Sequence, residues 1–518
     1  MRRTKIGVSA RLVTLFMVAG FMMSDHLGFA QTAADSSRPD YLEWPLPAAD
    51  REYGVIDGKH IWQYVVEQAA ISRRYRDQGH PQFWGRIIGT SGDAESAQWL
   101  LDKFNQLRMT DTRIQPIDLM PQWMPQTWQV TVGDGKKTIP LTSAQPAYHT
   151  SGTQGQGLDL EAVYVEMGSE ADFAGLDVRN KAVFISRYPG NFRGKLDRTG
   201  PEPGALKRAE EKGAAAVFDV NELPGNLKYQ SYPANTNVPT FNLGTQDGNT
   251  VRDLIEHAPP HQAPHVHVQM DVQMVPNLKT ALVWGTLPGA TDETIYVIAH
   301  RDGWFDGAGD NAGGIASMLG LAEYFARIPK NQRRRTMIFI GWDGHHNSGP
   351  GGAAGTAWAF DHRDQLFAKT ALMINDEHPS NVDTFRTAAP EGMVGQTDSY
   401  IPLEWYAGGP SRPELKKIVF SAFQEFGVAT WAEPSPKPPA GDMGRFAGLV
   451  PGVVAQTNDF FYMHTDANTP ETVPWTALEA VTRAYAKIID QVNKLDLKDL
   501  QRSSAETGTH SVPAGSVQ

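Results

Sequence analysis

The chain has 518 residues, of which 41% are hydrophobic and 20% charged, a composition that excludes a wholly disordered or fibrous protein. Its formal net charge of -11 argues against a nucleic-acid binder, because such proteins are basic. The absence of cysteine excludes disulfides, thiolate metal sites and a cysteine nucleophile. Any metal ion must therefore be bound by histidine, aspartate or glutamate.

The N-terminus has the pattern of a secretory signal peptide. Basic residues within positions 1–5 precede an apolar run over residues 12–23, and Gly28 and Ala30 are small residues suited to cleavage. The apolar run is shorter than the roughly 20 residues that a membrane-spanning helix needs. We therefore expect cleavage near Ala30, export to the periplasm or the medium, and no membrane attachment of the mature protein.

Apolar spacing predicts helices over residues 58–75 and 96–107, followed by a hairpin with strands at 127–132 and 138–141. Short apolar runs broken by glycine and proline then predict an α+β module that ends near residue 272. From residue 280 onward strands and helices alternate, up to a last amphipathic helix over residues 475–495. This alternation is typical of an α/β fold with a mixed, largely parallel sheet between helices.

Side chains that can bind metal follow the strand predicted over residues 294–299. His300 comes directly after this strand, and Asp310 opens the next helix about ten residues later. Because open α/β sheets bind ligands at the carboxyl ends of their strands, this imidazole and this carboxylate can reach one divalent cation. The alternative is that Asp310 is a helix N-cap and His300 a polar residue at a strand end.

Three further predicted strand ends carry the same residue types. They are Asp343, His345 and His346 after residues 336–341, residues 375–378 after residues 371–374, and His464 after residues 453–456. Paired imidazoles at a strand end often bind a metal or transfer protons. Four such ends in one region predict a metal centre.

Several short motifs follow one another along the chain in a characteristic order. They are His300 to Asp302, Gly307 to Asn311, Arg335 to Phe339, His345-His346, Asn375 to Glu377, Tyr462 to Thr465 and, near the start, Gly85 to Thr90. Together they resemble the co-catalytic zinc exopeptidases, which include bacterial zinc aminopeptidases and glutamate carboxypeptidases. Residues 213–217 and 237–240 are similar to the protease-associated domain that some members carry.

The resemblance implies a domain organisation for the chain. It consists of a signal peptide at residues 1–30, the N-terminal part of the catalytic domain at 31–150, a protease-associated-like insertion at 151–272, the metallohydrolase catalytic domain at 273–500 and a flexible tail at 501–518.

The resemblance also implies a metal-ligand set. His300 and Glu377 would bind one ion together with Asp310, and Asp310 would bind a second ion with His346 and His464. Zinc is the implied metal, with one or two divalent ions bound and another transition metal left open.

The implied reaction is hydrolysis of a peptide or small amide substrate by metal-activated water. His345 is the expected general base, with Asp343 as the reserve, because an imidazole near two cations can become a poor proton acceptor. Asp302 matches the family residue that orients the histidine ligand His300.

This chain departs from the family at two motifs. His345 and His346 replace a pair of glutamates, and Glu377, with Asp376 before it, replaces an aspartate. A neutral imidazole in place of a carboxylate predicts weaker binding of the ion at His346. Because strand alternation puts Glu377 on the same side as Asn375, we prefer Glu377 to Asp376 as the ligand.

Two other functions remain open at this point. The chain could be a non-catalytic binding protein on the same fold, or a metal-dependent amidohydrolase or cyclase that acts on a non-peptide substrate. A serine hydrolase is disfavoured because the sequence has no Gly-x-Ser-x-Gly motif to supply the nucleophile.

Overall fold

The computed structural model describes most of the chain between residues 45 and 500. The described ranges are 45–133, 135–155, 157–187, 190–192, 195–197, 204–346, 353–386, 394–400, 403–408, 412–432, 441–457 and 461–500. The predicted signal peptide at residues 1–30 and the predicted tail at residues 501–518 lie outside them.

The helices are spread over the whole described part. They are α1 Gly58–Asp77, α2 Ser91–Gln106, α3 Ala205–Glu211, α4 Thr245–Glu256, α5 Gly313–Ala326, α6 Ala354–Asp361, α7 Arg363–Leu366, α8 Pro413–Glu425, α9 Trp475–Val492 and α10 Leu497–Leu500, with short helical turns at Ala48–Val55, Ala308–Ala312, Asp442–Arg445 and Pro470–Thr472. No described helix is both long and apolar enough to cross a bilayer.

The strands form two large sheets and three small ribbons. They are β1 Gly85–Arg86, β2 Thr110–Asp118, β3 Gln122–Gly133, β4 Thr138–Pro140, β5 Gln145–Pro146, β6 Leu158–Tyr164, β7 Ala182–Arg187, β8 Gly190–Phe192, β9 Lys195–Asp197, β10 Ala216–Asn221, β11 Thr240–Gly244, β12 His265–Val275, β13 Lys279–Leu287, β14 Thr294–His300, β15 Gly303–Trp304, β16 Thr336–Trp342, β17 Thr370–Asp376, β18 Val382–Arg386, β19 Val394–Tyr400, β20 Leu403–Ala407, β21 Thr430–Ala432 and β22 Gly452–Gln456.

The first large sheet has the strand order β2-β13-β16-β14-β17-β22-β20-β21. Four of its pairs are parallel, namely β14 with β16 and β17, β17 with β22, and β20 with β21, while the other three are antiparallel. The prediction of a mixed, largely parallel sheet is therefore confirmed. The central strands β14 and β17 are almost wholly buried, as expected for apolar strands covered on both faces.

Helices cover this sheet on both sides. Along β14, Ile295 and Val297 face the core formed with α1, α5 and α9, whereas Tyr296 and Ile298 face the opposite core next to α6 and α7. α5 lies between the sheet and α9, and almost all of its residues are buried. The sheet is thus rigidly enclosed, which fixes the positions of its strand ends.

The second large sheet has the order β4-β3-β12-β6-β7-β10-β11-β5, and its central strands β6, β7, β10 and β11 are parallel. Its strands come from residues 122–275, so it begins before and ends after the insertion predicted at 151–272. The reason is that β3 of the predicted hairpin pairs with β12, and β4 pairs with β3, so the hairpin extends the same sheet.

Most predicted elements agree with the structure, and the start of α2 is the clearest difference. The helix was expected from residue 96 but begins at Ser91. Its first turn is polar, so apolar spacing gives no signal there, yet Asp93 accepts a hydrogen bond from the Gly89 N–H at 3.1 Å and stabilises that turn.

One buried arginine links α1, β1 and the loop that follows β15. The Arg86 guanidinium is fully buried and donates to the carbonyls of Arg301, Asp306 and Gly307 at 2.7–2.9 Å and to Ser72 Oγ at 3.0 Å. Without these donors the carbonyls would be buried and unsatisfied. Arg86 therefore holds the backbone just before Asp310.

We expect Arg86→Met to lower the free energy of unfolding by about 3 kcal/mol, because the substitution leaves several buried carbonyls without a donor. Urea denaturation followed by circular dichroism measures this change. The control is Arg179→Met, which removes an arginine whose side chain is 75% exposed and should change stability by less than about 0.5 kcal/mol. Equal stability of the two variants would contradict the structural role of Arg86.

Candidate metal centre

Three neighbouring parallel strands end at one edge of the first sheet and carry polar residues there. β14 ends at His300, β16 is followed by His345 and His346, and β17 is followed by Glu377. Because β16, β14 and β17 are adjacent and parallel, their carboxyl ends lie side by side. The structure thus brings His300 and Glu377 together, although they lie 77 positions apart in the sequence.

Asp310 lies between these strand ends, in the turn that leads into α5. The turn Ala308–Ala312 is buried throughout. The Asn311 side chain fixes it, because Nδ2 donates to the Asp376 carbonyl at 2.9 Å and Oδ1 accepts the N–H groups of Gly314 and His378 at 3.1 and 3.0 Å. The turn is therefore tied directly to the end of β17.

The two carboxylate oxygens of Asp310 face two different groups of side chains. Oδ1 lies 3.3 Å from His300 Nε2 and 3.0 Å from His378 Nε2. Oδ2 lies 3.1 Å from His346 Nε2 and 3.0 Å from His464 Nε2. Burial raises the pKa of a carboxyl group, but His346 and His378 hold the pKa of Asp310 well below its usual range.

Glu377 lies beside His300 and belongs to the first group, which we define as the side chains around His300 and Asp310 Oδ1; the second group is formed by His346 and His464 near Oδ2. Its Oε1 lies 3.5 Å from His300 Nε2, while Oε2 accepts from Asn375 Nδ2 at 2.7 Å and from the Asp442 N–H at 3.3 Å. The neighbouring Asp376 is fully buried and is absent from every group of described side chains that could hold a metal. Of these two neighbouring carboxylates, Glu377 therefore lies among the candidate metal ligands and Asp376 does not.

Asp302 orients two of the imidazoles. Its Oδ1 accepts the Nδ1–H of His300 at 2.7 Å, and its Oδ2 accepts from Nδ1 and from the backbone N–H of His346 at 2.8 and 2.9 Å. Burial alone would raise its pKa, yet His346 and His300 keep the pKa of Asp302 well below the usual range. With Nδ1 bonded in this way, Nε2 of each ring faces Asp310.

The two candidate bases occupy different surroundings. His345 has 27% of its side chain exposed, and its Nδ1 lies 3.3 Å from Asp442 Oδ1. Burial lowers the pKa of His345, but the hydrogen bond and the charge of Asp442 raise it above its ordinary value. Asp343 is fully buried and accepts the Gly355 N–H at 2.8 Å, and burial raises its pKa to about 8.

Two polar residues of the site were not predicted as site residues. Alternation along a strand would turn the side chain of His378 away from that of Glu377. Its backbone instead has a φ of 44°, in the left-handed region, so its side chain turns back toward Asp310. Asp442, which contacts His345, comes from a turn about 65 residues beyond Glu377, and only structure reveals that contact.

Aromatic rings line one side of the second group. The Trp304 ring centroid lies 4.7 Å from those of both His346 and His464. The Tyr232 ring stacks on His346 at 6.2 Å and is 42% exposed. Tyr232 belongs to the segment after β10, whose Gln230 N–H donates to the His464 carbonyl at 2.9 Å. The second sheet therefore contributes directly to the surroundings of His464.

The donor atoms fit divalent metal ions of the zinc class. Nε2 of His300 and Oδ1 of Asp310 are buried and make no hydrogen bond within the described residues. The separations of 3.0–3.5 Å between donor atoms match the roughly 3.3 Å expected between ligands that each lie about 2.0–2.1 Å from a tetrahedral zinc ion. Mixed imidazole and carboxylate donors are typical of such sites.

Two curated relatives match the chain at 23% identity. A probable glutamate carboxypeptidase from Zea mays aligns over 44% of this chain and 38% of its own length. Aminopeptidase YwaD from Bacillus subtilis aligns over 49% of this chain and 50% of its own. The chain thus spans half or less of the length of these relatives.

The fold matches solved structures as well. A zinc aminopeptidase from Bacillus subtilis superposes with a TM-score of 0.57 at 17% identity, covering 89% of this chain and 99% of that structure. The model of peptidase family M28 matches residues 283–489, the region that contains all the donor side chains described above. The resemblance to the zinc exopeptidases is therefore confirmed by the match to peptidase family M28 over residues 283–489.

Proposed function

We propose that this chain is a metal-dependent hydrolase that cleaves a peptide or a related amide bond. The observation that carries the proposal is the carboxylate of Asp310, whose two oxygens each face a separate group of imidazoles. A carboxylate shared in this way would help to hold two divalent ions, one with each group of imidazoles. The family M28 match and the similar zinc aminopeptidase support zinc and a peptide substrate.

The residues of the centre would divide the binding of two ions between them. His300 would hold one ion with Asp310 and Glu377, whose oxygens lie 3.3 and 3.5 Å from its Nε2, and His346 and His464 would hold the other with Asp310. Such ions, when bound, lower the pKa of water and polarise a carbonyl group.

His345 would accept the proton that the attacking water loses. Its side chain is only partly buried, so that water and substrate can reach it, and Asp442, whose Oδ1 lies 3.3 Å from Nδ1, would orient the ring. The ordinary pKa of an imidazole, about 6.5, suits this role at neutral pH. Burial lowers the pKa of His345, but Asp442 raises it above that ordinary value, which strengthens the ring as a proton acceptor. Asp343 is less well placed, because it is fully buried and bonded to the Gly355 N–H.

Trp304 and Tyr232 would contact the substrate next to the scissile bond. Both rings lie against the imidazoles of His346 and His464, and Tyr232 is partly exposed. An aromatic wall of this kind favours a substrate with an apolar side chain. Because Tyr232 comes from the segment between β10 and β11, a protease-associated-like module would shape substrate access here.

Export belongs to the same proposal. The basic and apolar pattern of residues 1–30 supports a signal peptide cleaved near Ala30. Mass spectrometry of the protein from the periplasm and the medium would give a mature N-terminus near residue 31, and an intact Met1 in the cytoplasm alone would contradict export.

The first test is hydrolysis of aminoacyl p-nitroanilides and N-acyl amino acids by the zinc-loaded protein. We expect turnover of at least one apolar substrate and a loss of at least about 100-fold in His346→Ala, because that variant loses an imidazole ligand. Elemental mass spectrometry should show less zinc bound to the variant. His362→Ala changes a histidine outside the metal-binding groups and serves as the matched control.

No turnover by the wild-type protein on either substrate class, with zinc bound, would contradict the peptidase proposal. Ligand binding without turnover would then favour a non-catalytic binding protein.

The second test separates proton transfer from metal binding. We expect His345→Gln to lower kcat by about 10²–10⁴-fold with little change in KM, because glutamine keeps the size and polarity of the side chain but cannot accept the proton. Zinc content should stay at the wild-type level. Normal turnover by this variant would exclude His345 as the general base and favour Asp343 in that role.

A further inference from the structure

The two groups around Asp310 offer different numbers of donors. The first contains Nε2 of His300, Oε1 of Glu377 and Nε2 of His378 together with Asp310 Oδ1. Within the described residues, the second contains Nε2 of His346 and of His464 together with Asp310 Oδ2. By these pairwise distances, the described residues provide four donors in the first group and three in the second.

His378 is held in place as the fourth donor of the first group. Its backbone N–H donates to Asn311 Oδ1 at 3.0 Å, and its φ of 44° directs the side chain to the same point as Glu377. Its Nε2 lies 3.0 Å from Asp310 Oδ1 and 4.0 Å from Glu377 Oε1. The shorter distance matches the roughly 3.3 Å expected between ligands of one tetrahedral zinc ion.

His345 is the competing candidate for this position, because it also has a ring nitrogen within 4.8 Å of donor atoms of His300 and Glu377. His378, however, has its Nε2 3.0 Å from Asp310 Oδ1 and only 10% of its side chain exposed, compared with 27% for His345. A ligand of an enclosed ion is expected to be buried, whereas a proton acceptor must be reached by water and substrate. These differences assign the ligand role to His378.

We infer that His378 is a metal ligand and that the two sites have different tasks. Zinc sites with four protein ligands are closed and structural, whereas sites with three keep a position open for water or substrate. The ion of the His300 group would accordingly be tightly held, and the ion of the His346 group would be exchangeable and face the substrate. The Trp304 and Tyr232 rings lie beside this second group.

This inference rests on one part of the proposed function, namely that the centre binds divalent ions. It does not require that the protein hydrolyses a substrate. Its ligand class is an ion of intermediate softness, zinc or cobalt(II), because the tight site combines two imidazoles with two carboxylates.

The test is metal retention by the full-length mature protein. Zinc-loaded samples are dialysed against a weak chelator, and bound zinc is measured by elemental mass spectrometry. We expect the wild type to retain about one ion per chain and to bind a second when zinc is restored. His378→Gln should retain less than half of that ion, with affinity lowered about 10–100-fold. His464→Ala should retain the tight ion but bind no second one.

The controls separate the ligand role from simple misfolding and from the rival histidine. Melting temperatures in excess chelator should be alike for the wild type and His378→Gln, because no ion is bound in either. Cobalt(II) absorption between 500 and 650 nm should weaken in His378→Gln as the coordination changes. His345→Gln should retain zinc as the wild type does.

The inference would be overturned if His378→Gln retained as much zinc as the wild type. It would also be overturned if His345→Gln, and not His378→Gln, lost the tight ion. Loss of the tight ion from His464→Ala would overturn the division of tasks. Hydrolysis measured on the same samples tests the proposed function separately, since ions can be retained as inferred in a protein that cleaves nothing.

Discussion

The carboxylate of Asp310 is buried among four imidazoles, and the rest of the centre is arranged around it. Burying an ionised carboxylate is costly unless positive charge and hydrogen bonds compensate for the lost water. The surrounding histidines provide part of that compensation, and two divalent ions would complete it. The buried hydrogen bonds of Arg86 and Asn311 keep the turn with Asp310 in position against the strand ends.

The histidine pair would make the centre less negative than the glutamate pair that the resemblance implies. His346 occupies the place where the resemblance expects a glutamate ligand, and its Nε2 still lies 3.1 Å from Asp310 and 3.2 Å from His464. With a neutral ligand there, the second ion loses one favourable Coulomb interaction. A weakly held ion beside a partly exposed His345 is consistent with a catalytic position, and a more tightly held ion beside His378 with a structural one.

The sequence alone could place most of the centre, because strand ends are visible as apolar runs followed by polar residues. His300, His346 and Glu377 follow adjacent parallel strands, so their meeting follows from the topology. His378 could not be placed in this way, since a left-handed φ breaks the alternation that assigns side chains to faces. Tyr232 and Asp442 reach the centre from distant segments, and no local pattern indicates such contacts.

The most direct test of a two-ion centre on Asp310 is a crystal structure of the zinc-loaded protein with anomalous data at the zinc edge. We expect two peaks about 3.5–4 Å apart, one on each side of the Asp310 carboxylate. One peak should lie among His300, Glu377 and His378, and the other between His346 and His464. The absence of any peak within bonding distance of Asp310 would contradict the account.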